Sequence, residues 1–272
     1  MIFPAKIGIF DSGFGGLSVL RAVQQVLSRH PIVYLADQAH VPYGRRSIKE
    51  IRDYSIEITR WLLDQGCEEI IVACNTASAA ALHHLRNVYP DVPFVGMEPA
   101  VKPAAEQTKS GIVGVIATPA TFQGDLYTSV VERFASGVTV LESACPGLVE
   151  EIEAGHLDGP ETRRILQTAL HPMLEKGIDT IVLGCTHFPF VIPVIQEIAG
   201  PNVRVIDPAP AIARQAARML TTSSASVAQN PSLQIYTTGS PAYFLENMHH
   251  FLSTKAQIHL IIWDETGQLK TA

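Results

Sequence analysis

Two cysteines occupy equivalent positions in two similar stretches of the sequence. GCEEIIVACNT (66–76) and GIDTIVLGCTH (177–187) align without a gap, and in each an apolar run and a small residue precede a cysteine, Cys74 or Cys185. A single buried cysteine after a strand is more often a small apolar filler. The duplication favours a pair of reactive thiols, which two facing units would place on opposite sides of a cleft.

The residues around these thiols fit acid–base chemistry. A free cysteine titrates near pH 8.5, so a useful thiolate at neutral pH needs its pKa lowered by roughly 1 to 2 units. A helix N-terminus supplies only part of that shift. We therefore expect further hydrogen bonds from Asn75, Thr76, Thr186 or free backbone amides. His187 is close enough in sequence to relay protons, although such a histidine is more often a satisfied polar residue.

The other two cysteines, Cys67 and Cys145, lack the repeated setting and are interpreted as apolar fillers, with Cys145 at a turn near the site. The four cysteines show no CxxC spacing of a structural zinc site. No lysine context suggests a pyridoxal Schiff base. We therefore expect neither a metal nor an organic cofactor.

Two glycine-containing loops carry polar residues that could contact a small ligand. GIFDSGFGGLSVL lacks the third glycine of a dinucleotide fingerprint, and Asp11 would repel phosphate. Asp11 and Ser12 suit an ammonium group better, although Asp11 could also cap a helix. ADQAHVPYGRRS offers a hydroxyl and backbone amides from Pro42, Tyr43 and Gly44, although the tyrosine could simply pack.

Short β-branched runs that alternate with segments of helical period would position these residues. The predicted strands lie in KIGIF, PIVYLA, EEIIVA, GIVGVIA, GVTVLE, DTIVLG and NVRVID. From Ser47 onward, Ile51, Ile58 and Leu62 fall on one face of a predicted helix. This alternation indicates an α/β fold with parallel sheets, in which ligands bind beyond the carboxyl ends of the strands.

Composition limits the classes of partner. The 272 residues are 47% hydrophobic, enough for one large domain or, as we expect, two. A net charge of −6 without a basic run argues against a nucleic-acid surface. No apolar stretch approaches the roughly 18 residues that cross a bilayer, and Asp11 comes before any signal-peptide core could form. We expect a cytoplasmic protein that binds a small molecule.

The sequence resembles the glutamate racemase family of the aspartate/glutamate racemase superfamily. The resemblance covers nearly the whole chain and rests on motifs in the family's order, GIFDSGFGGLSVL, YLADQAHVPYGRRS, VACNTASAAAL, GMEPAVKPA, GVIATPAT, LGCTHFPF and VIDPA. It implies two pseudosymmetric α/β domains with mostly parallel sheets and the active site in the cleft between them. Residues 1–97 and 207–272 would form the first domain, and residues 98–206 the second.

The resemblance also implies roles for individual residues. Cys74 and Cys185 would be the catalytic acid/bases of a cofactor-independent glutamate racemase, assisted by Asp11 and His187 respectively. Glu153 would inherit a supporting acidic role, which Glu150 and Glu151 could also fill. The implied biological role is the supply of D-glutamate for peptidoglycan. The implied substrate shell is Asp11, Ser12, Pro42, Tyr43, Gly44, Asn75, Thr76, Thr186 and His187.

Several alternatives remain open from the sequence. Aspartate racemase or another two-thiol racemase of the superfamily is the nearest. A thiol hydrolase would leave one of the two cysteines without a role, and an amino-acid binding protein would need neither thiol. The oligomeric state is also open, with a homodimer as one candidate.

Overall fold

The computed structural model describes residues 5–220, 231–252 and 256–271. The described residues form strands and helices in nearly regular alternation. The strands are β1 (Lys6–Asp11), β2 (Ile32–Ala36), β3 (Cys67–Val72), β4 (Phe94–Gly96), β5 (Ile112–Ala117), β6 (Thr139–Ala144), β7 (Thr180–Gly184), β8 (Arg204–Ile206), β9 (Leu233–Thr237), β10 (Gln257–Trp263) and β11 (Leu269–Thr271). The helices are α1 (Leu17–Val26), α2 (Ile48–Asp64), α3 (Asn75–Val88), α4 (Val101–Gln107), α5 (Pro119–Phe122), α6 (Asp125–Phe134), α7 (Leu148–Glu153), α8 (Pro160–Leu174), α9 (Ile192–Ala199), α10 (Ala209–Leu220) and α11 (Pro241–Met248).

These strands form two sheets. Within the described residues, the larger sheet has the order β11-β10-β9-β2-β1-β3-β4, and the smaller has the order β6-β5-β7-β8. Neighbouring strands pair in parallel throughout, except for antiparallel β10 and β11. All seven strands predicted from the β-branched runs are confirmed. The mostly parallel α/β architecture is therefore as expected.

Helices cover the faces of both sheets because the strands are apolar on both sides. α2 and α3 pack on one face of the larger sheet, and α4 and α6 pack on one face of the smaller. A third cluster of buried side chains combines residues of both sheets, including Ile9 of β1 and Leu183 of β7. The two sheets therefore share part of their hydrophobic core.

Helix α2 illustrates how the local sequence determines an element. Ser47 and Glu50 form a capping box at its start, an arrangement in which the cap alone contributes about 0.5–2 kcal/mol. Ile51, Ile58 and Leu62 are buried, as the apolar period predicts. Its remaining face carries exposed charged side chains.

The C-terminal part of the chain returns to the larger sheet. β9 adds to the edge of β2, with Ile32 opposite Leu233, and β10 adds to β9. Phe14, in the loop after β1, stacks on Phe244 and Phe251 with ring centroids 4.6 and 4.9 Å apart. Within the described ranges, no helix is long and apolar enough to cross a membrane.

Candidate active site

Cys74 lies where the larger sheet ends and α3 begins. It is the N-cap of α3, in extended conformation (φ −108°, ψ 123°), and its Sγ accepts a hydrogen bond from the Ala77 N–H at 3.4 Å. The Ser12 Oγ, which follows β1, is 3.9 Å from the same sulfur. The predicted helix N-terminus is thus present at this thiol.

Cys185 follows β7 in the smaller sheet but lies in a different local structure. A 3-10 turn, Phe188–Val191, separates it from α9, so its sulfur does not cap an α-helix. Instead, Sγ of Cys185 faces Nδ1 of His187 at 3.8 Å. The two repeats therefore place their thiols at equivalent strand ends but surround them differently.

Both cysteines line one narrow cavity between the carboxyl ends of β1 and β3 and those of β5 and β7. The cavity has a volume of about 20 Å³, enough for about one water molecule. Its lining consists of Ser12, Pro42, Tyr43, Gly44, Cys74, Asn75, Thr76, Thr118, Val149, Cys185, Thr186 and His187.

Most of the predicted site residues are therefore brought together. Asp11 and Glu153 lie behind the lining residues and do not face the cavity directly. Asp11 is fully buried, and its oxygens accept hydrogen bonds from the Gly13 N–H at 2.8 Å and the Thr186 Oγ1 at 3.0 Å. Burial raises the pKa of Asp11 to about 6, although His187 opposes this shift.

The protonation state of Cys74 follows from its surroundings. Burial, and next the nearby Asp11 carboxylate, raise the pKa of the Cys74 thiol well above its ordinary value. The hydrogen bond from Ala77 opposes these effects only in part. Cys74 is therefore a proton donor in the absence of substrate.

His187 links Cys185 to an acidic residue. Its Nε2 lies 2.5 Å from Oε1 of Glu153, while Nδ1 faces Cys185. Burial alone would lower the pKa of His187, but contacts with Cys185 and Glu153 outweigh it and raise the pKa well above its ordinary value. A protonated imidazole between the two stabilises negative charge on the Cys185 sulfur.

Glu153 is also held by three groups that follow strands of the larger sheet. The Phe14 N–H donates to Oε1 at 2.6 Å, the Gln38 side-chain amide donates to Oε2 at 3.2 Å, and the Tyr243 hydroxyl donates to its main-chain carbonyl at 2.9 Å.

The neighbouring acidic residues point elsewhere. Glu150 pairs with Arg45, and Glu151 pairs with His156. Of the three glutamates considered from the sequence, Glu153 is the one that contacts His187.

The glycines of the first loop permit a close approach between the two sheets. A Cβ atom at Gly13 would overlap the Glu153 carboxylate, and one at Gly15 would overlap the His187 ring. The Gly15 N–H also lies 3.2 Å from Nε2 of His187. These glycines therefore bring the loop against the acid–base residues of the opposite sheet.

Asn75 has the clearest unfilled binding capacity in the cavity. Its side chain is only 2% exposed, yet neither amide atom has a hydrogen-bond partner within the described part of the chain. A buried amide without partners costs about 1–3 kcal/mol. A ligand with a polar group in the cavity would supply the missing partner.

Two lining residues were not predicted. Thr118 follows β5, and its hydroxyl lies 3.0 Å from that of Thr76, joining the two walls of the cavity. Val149 lines the cavity from α7. The position of Thr118 at a strand's carboxyl end, within the GVIATPAT motif, could have indicated it.

The remaining cysteines, Cys67 and Cys145, are both buried, and Cys145 lies close enough to Cys185 for the two to interact electrostatically. Burial raises the pKa of both Cys67 and Cys145 to about 12. Neither lines the cavity. Among the described residues, no group of three or more His, Cys, Asp or Glu side chains is arranged to hold a metal ion.

Comparison with known proteins identifies the family. A sequence model described as Asp/Glu/Hydantoin racemase matches residues 7–216. The chain belongs to the Asp/Glu/Hydantoin racemase family. Within this family it is 49% identical over 246 residues to a glutamate racemase of Roseiflexus sp. (strain RS-1), covering 89% of this chain and 90% of the relative.

Solved structures of the family agree. The fold superposes on a glutamate racemase from Francisella tularensis in complex with D-glutamate, with a TM-score of 0.84, 30% identity and coverage of 96% and 97% of the two chains. For the Escherichia coli glutamate racemase in complex with L-glutamate and the activator UDP-MurNAc-ala, the TM-score is 0.83, with 29% identity and coverage of 94% and 97%. These similarities confirm the predicted family, fold class and glutamate racemase activity.

Proposed function

We propose that this chain interconverts L- and D-glutamate through two thiols, Cys74 and Cys185, without a cofactor. The observation that carries this proposal is that two thiols from different sheets line one buried cavity. One thiol can remove the α-proton from one face of the substrate while the other returns a proton to the opposite face.

The two thiols have different surroundings. The His187 imidazole faces the Cys185 sulfur and can stabilise negative charge that forms on it, whereas the raised pKa of Cys74 keeps that thiol protonated. With L-glutamate, the Cys185 thiolate takes the α-proton, the electron pair of the broken Cα–H bond remains on the α-carbon, and the Cys74 thiol then protonates the other face. D-glutamate reacts in reverse, with Cys74 as the base and Cys185 as the acid.

The α-carbanion needs stabilisation because an ordinary amino-acid α-proton is weakly acidic. We assign the substrate α-carboxylate to the unpartnered amide of Asn75 and the first backbone amides of α3, where the helix dipole favours negative charge. The Thr186 hydroxyl donates to Asp11, so its oxygen is left to accept a hydrogen bond from the substrate ammonium group. Hydrogen bonds made in this dry site would be stronger than in water.

The other end of the substrate would contact the Tyr43–Gly44 segment. This segment lines the cavity and offers backbone amides to a side-chain carboxylate. Because the cavity holds about one water molecule, we infer that glutamate enters when its two walls separate. The Thr76–Thr118 contact and the Arg45–Glu150 ion pair would break in that step.

Incubation of the purified protein with L-glutamate and, separately, with L-aspartate tests this function. Chiral chromatography should detect D-glutamate, with aspartate at least about tenfold slower, which requires only about 1.4 kcal/mol of discrimination. If aspartate turned over faster than glutamate, the chain would be an aspartate racemase and the proposed substrate would be wrong.

We also propose that the chain has two domains and acts in the cytoplasm. Sheet membership supports a first domain of residues 1–97 and 207–272 and a second of residues 98–206, with the cavity between them. Two reduced thiols are best maintained in the cytoplasm, where D-glutamate would supply peptidoglycan synthesis. The oligomeric state, for which a homodimer is one candidate, is tested by measuring the protein's molar mass in solution.

A further inference from the structure

A second buried carboxylate, Asp37, organises the loop that carries Tyr43. Asp37 follows β2 and is fully buried. Oδ2 accepts hydrogen bonds from the Tyr43 hydroxyl at 2.7 Å and from Nδ1 of His40 at 2.9 Å. Oδ1 accepts hydrogen bonds from Thr238 Oγ1 and Trp263 Nε1, each at 2.8 Å.

These four donors come from two distant parts of the chain. His40 and Tyr43 belong to the loop after β2, whereas Thr238 follows β9 and Trp263 ends β10. A buried carboxylate is stable only when its oxygens are well paired. Asp37 therefore joins the loop and the returning C-terminal strands through a single group.

Ring packing holds the same loop from the side. His40 stacks on Tyr54 of α2 with ring centroids 3.9 Å apart, and the Trp263 ring meets His40 edge-on at 5.2 Å. The Arg46 side chain donates to the His40 carbonyl. Residues 37–46 are thus fixed at several points, and the indole of Trp263 contributes both a ring contact and a hydrogen bond.

Tyr43 connects this arrangement to the cavity. It is 1% exposed, and burial, then the nearby Asp37 carboxylate, raise the pKa of its hydroxyl well above the ordinary value. The hydroxyl therefore remains a hydrogen-bond donor to Asp37. Tyr43 and Gly44 line the cavity, whereas Asp37, Thr238 and Trp263 do not.

We propose that Asp37 is a positioning residue that fixes Tyr43 and Gly44 for substrate binding, and that Trp263 acts on the site through Asp37. This inference rests on the proposed glutamate racemase function. Neither residue contacts the thiols that move protons. Their loss should therefore weaken substrate binding by the same amount in the ground state and in the transition state. Such a loss raises KM and leaves kcat unchanged.

Replacing the indole donor tests the proposal. Trp263→Phe keeps a ring against His40 and removes the hydrogen bond to Asp37. We expect KM for both glutamate enantiomers to rise by about threefold to tenfold, the range of one hydrogen bond, with kcat unchanged. Thr238→Val removes the other donor to Oδ1 and should raise KM in the same way.

Trp61→Phe is the matched control, because Trp61 is buried in α2 against Tyr236 and does not line the cavity. This variant should leave KM unchanged even if its melting temperature falls. Circular dichroism and thermal unfolding of each variant separate loss of fold from loss of positioning.

A double-variant cycle gives an independent readout. If Tyr43 and Trp263 act through the same carboxylate, Tyr43→Phe and Trp263→Phe together should raise KM by less than the product of their separate effects. The proposal would be overturned if the KM increase of the double variant equalled the product of the two single increases. It would also be overturned if Trp263→Phe and Thr238→Val both had the KM of the parent. Failure of the parent protein to racemise glutamate would instead overturn the proposed function.

Discussion

Nε2 of His187 lies 2.5 Å from Oε1 of Glu153, on the side of the ring opposite Cys185. The carboxylate thus stabilises the protonated imidazole that in turn stabilises a thiolate. Among the described residues no histidine bonds to Cys74, whose sulfur instead lies at a helix N-terminus and near Ser12. This difference makes the two half-reactions separately testable.

Glu153→Gln should lower kcat by about 10- to 100-fold, the value of a hydrogen bond to a charged group. Because L- and D-glutamate are equally stable, kcat/KM must remain equal in the two directions. The variant should slow proton transfer at Cys185, the thiol that removes the α-proton of L-glutamate. The primary isotope effect should therefore be larger with α-deuterated L-glutamate than with α-deuterated D-glutamate. Glu151→Gln, on the same helix but paired with His156, is the control, and equal isotope effects for Glu153→Gln would contradict the assigned side.

Each cysteine variant should lose racemisation but retain one working base. In deuterated water, Cys185→Ala should slowly exchange the α-proton of D-glutamate with retention, and Cys74→Ala that of L-glutamate. Rates should be low because the missing thiol also influences the ionisation of the remaining one. Mass spectrometry with chiral chromatography separates exchange from inversion. A variant that racemised at the parent rate would remove its cysteine from the mechanism.

Alkylation should distinguish the four thiols. Iodoacetamide reacts with thiolates, so near neutral pH we expect Cys185 to be modified first, because His187 stabilises its negative charge. The raised pKa values of Cys67, Cys74 and Cys145 make them slower. Peptide mapping during a time course measures the order, and glutamate should protect Cys185. Earlier modification of Cys67 or Cys145 would argue against a thiolate at Cys185.

Stability should depend on pH through Glu69. This side chain is fully buried in β3, neither carboxylate oxygen has a partner within the described residues, and burial raises its pKa from 4.5 to about 8. Below pH 4.5 it is protonated whether the chain is folded or unfolded. Between pH 4.5 and 8 only the folded chain keeps the proton, so the free energy of unfolding falls as pH rises.

The slope from this group is about 1.4 kcal/mol per pH unit. Urea unfolding of the parent and of Glu69→Gln at several pH values measures it, and the Gln variant should lose this part of the slope. Glu68→Gln, on the exposed side of the same strand, should retain it. Parallel pH dependences of the parent and Glu69→Gln would show that Glu69 ionises normally.

Activity should survive exhaustive dialysis against a chelator, and the purified protein should show no pyridoxal absorbance. The physical reason is that the thiols carry both protons and the hydrogen-bond donors stabilise the carbanion. Activity measured before and after dialysis, with and without added metal or pyridoxal phosphate, checks this. Recovery only after such an addition would refute the two-thiol mechanism.

Local patterns were sufficient to predict much of the fold and of the site. Repeated strand-to-cysteine segments located Cys74 and Cys185, because the ends of parallel strands meet at one edge of a sheet. The apolar period of α2 and the β-branched runs predicted their elements correctly. β4, β9, β10 and β11 were not among the predicted strands.

Contacts between distant segments could not be predicted in the same way. Gln38 and Tyr243 hold Glu153, yet their spacing along the chain contains no signal of that contact. Asp37 and Trp263 are 226 positions apart, and they meet only because β9 and β10 extend the edge of β2. Such pairs depend on sheet order, which local periodicity does not determine.

The addition of β9 to the edge of β2 also affects how the protein is made. Ile32 and Leu233 are paired neighbours in the sheet although about 200 residues separate them. A ribosome adds roughly 5 to 20 residues per second, so the edge of β2 stays open for roughly 10 to 40 seconds on each nascent chain. An open strand edge invites pairing with other chains, which makes this interval the stage at which aggregation during synthesis is most dangerous.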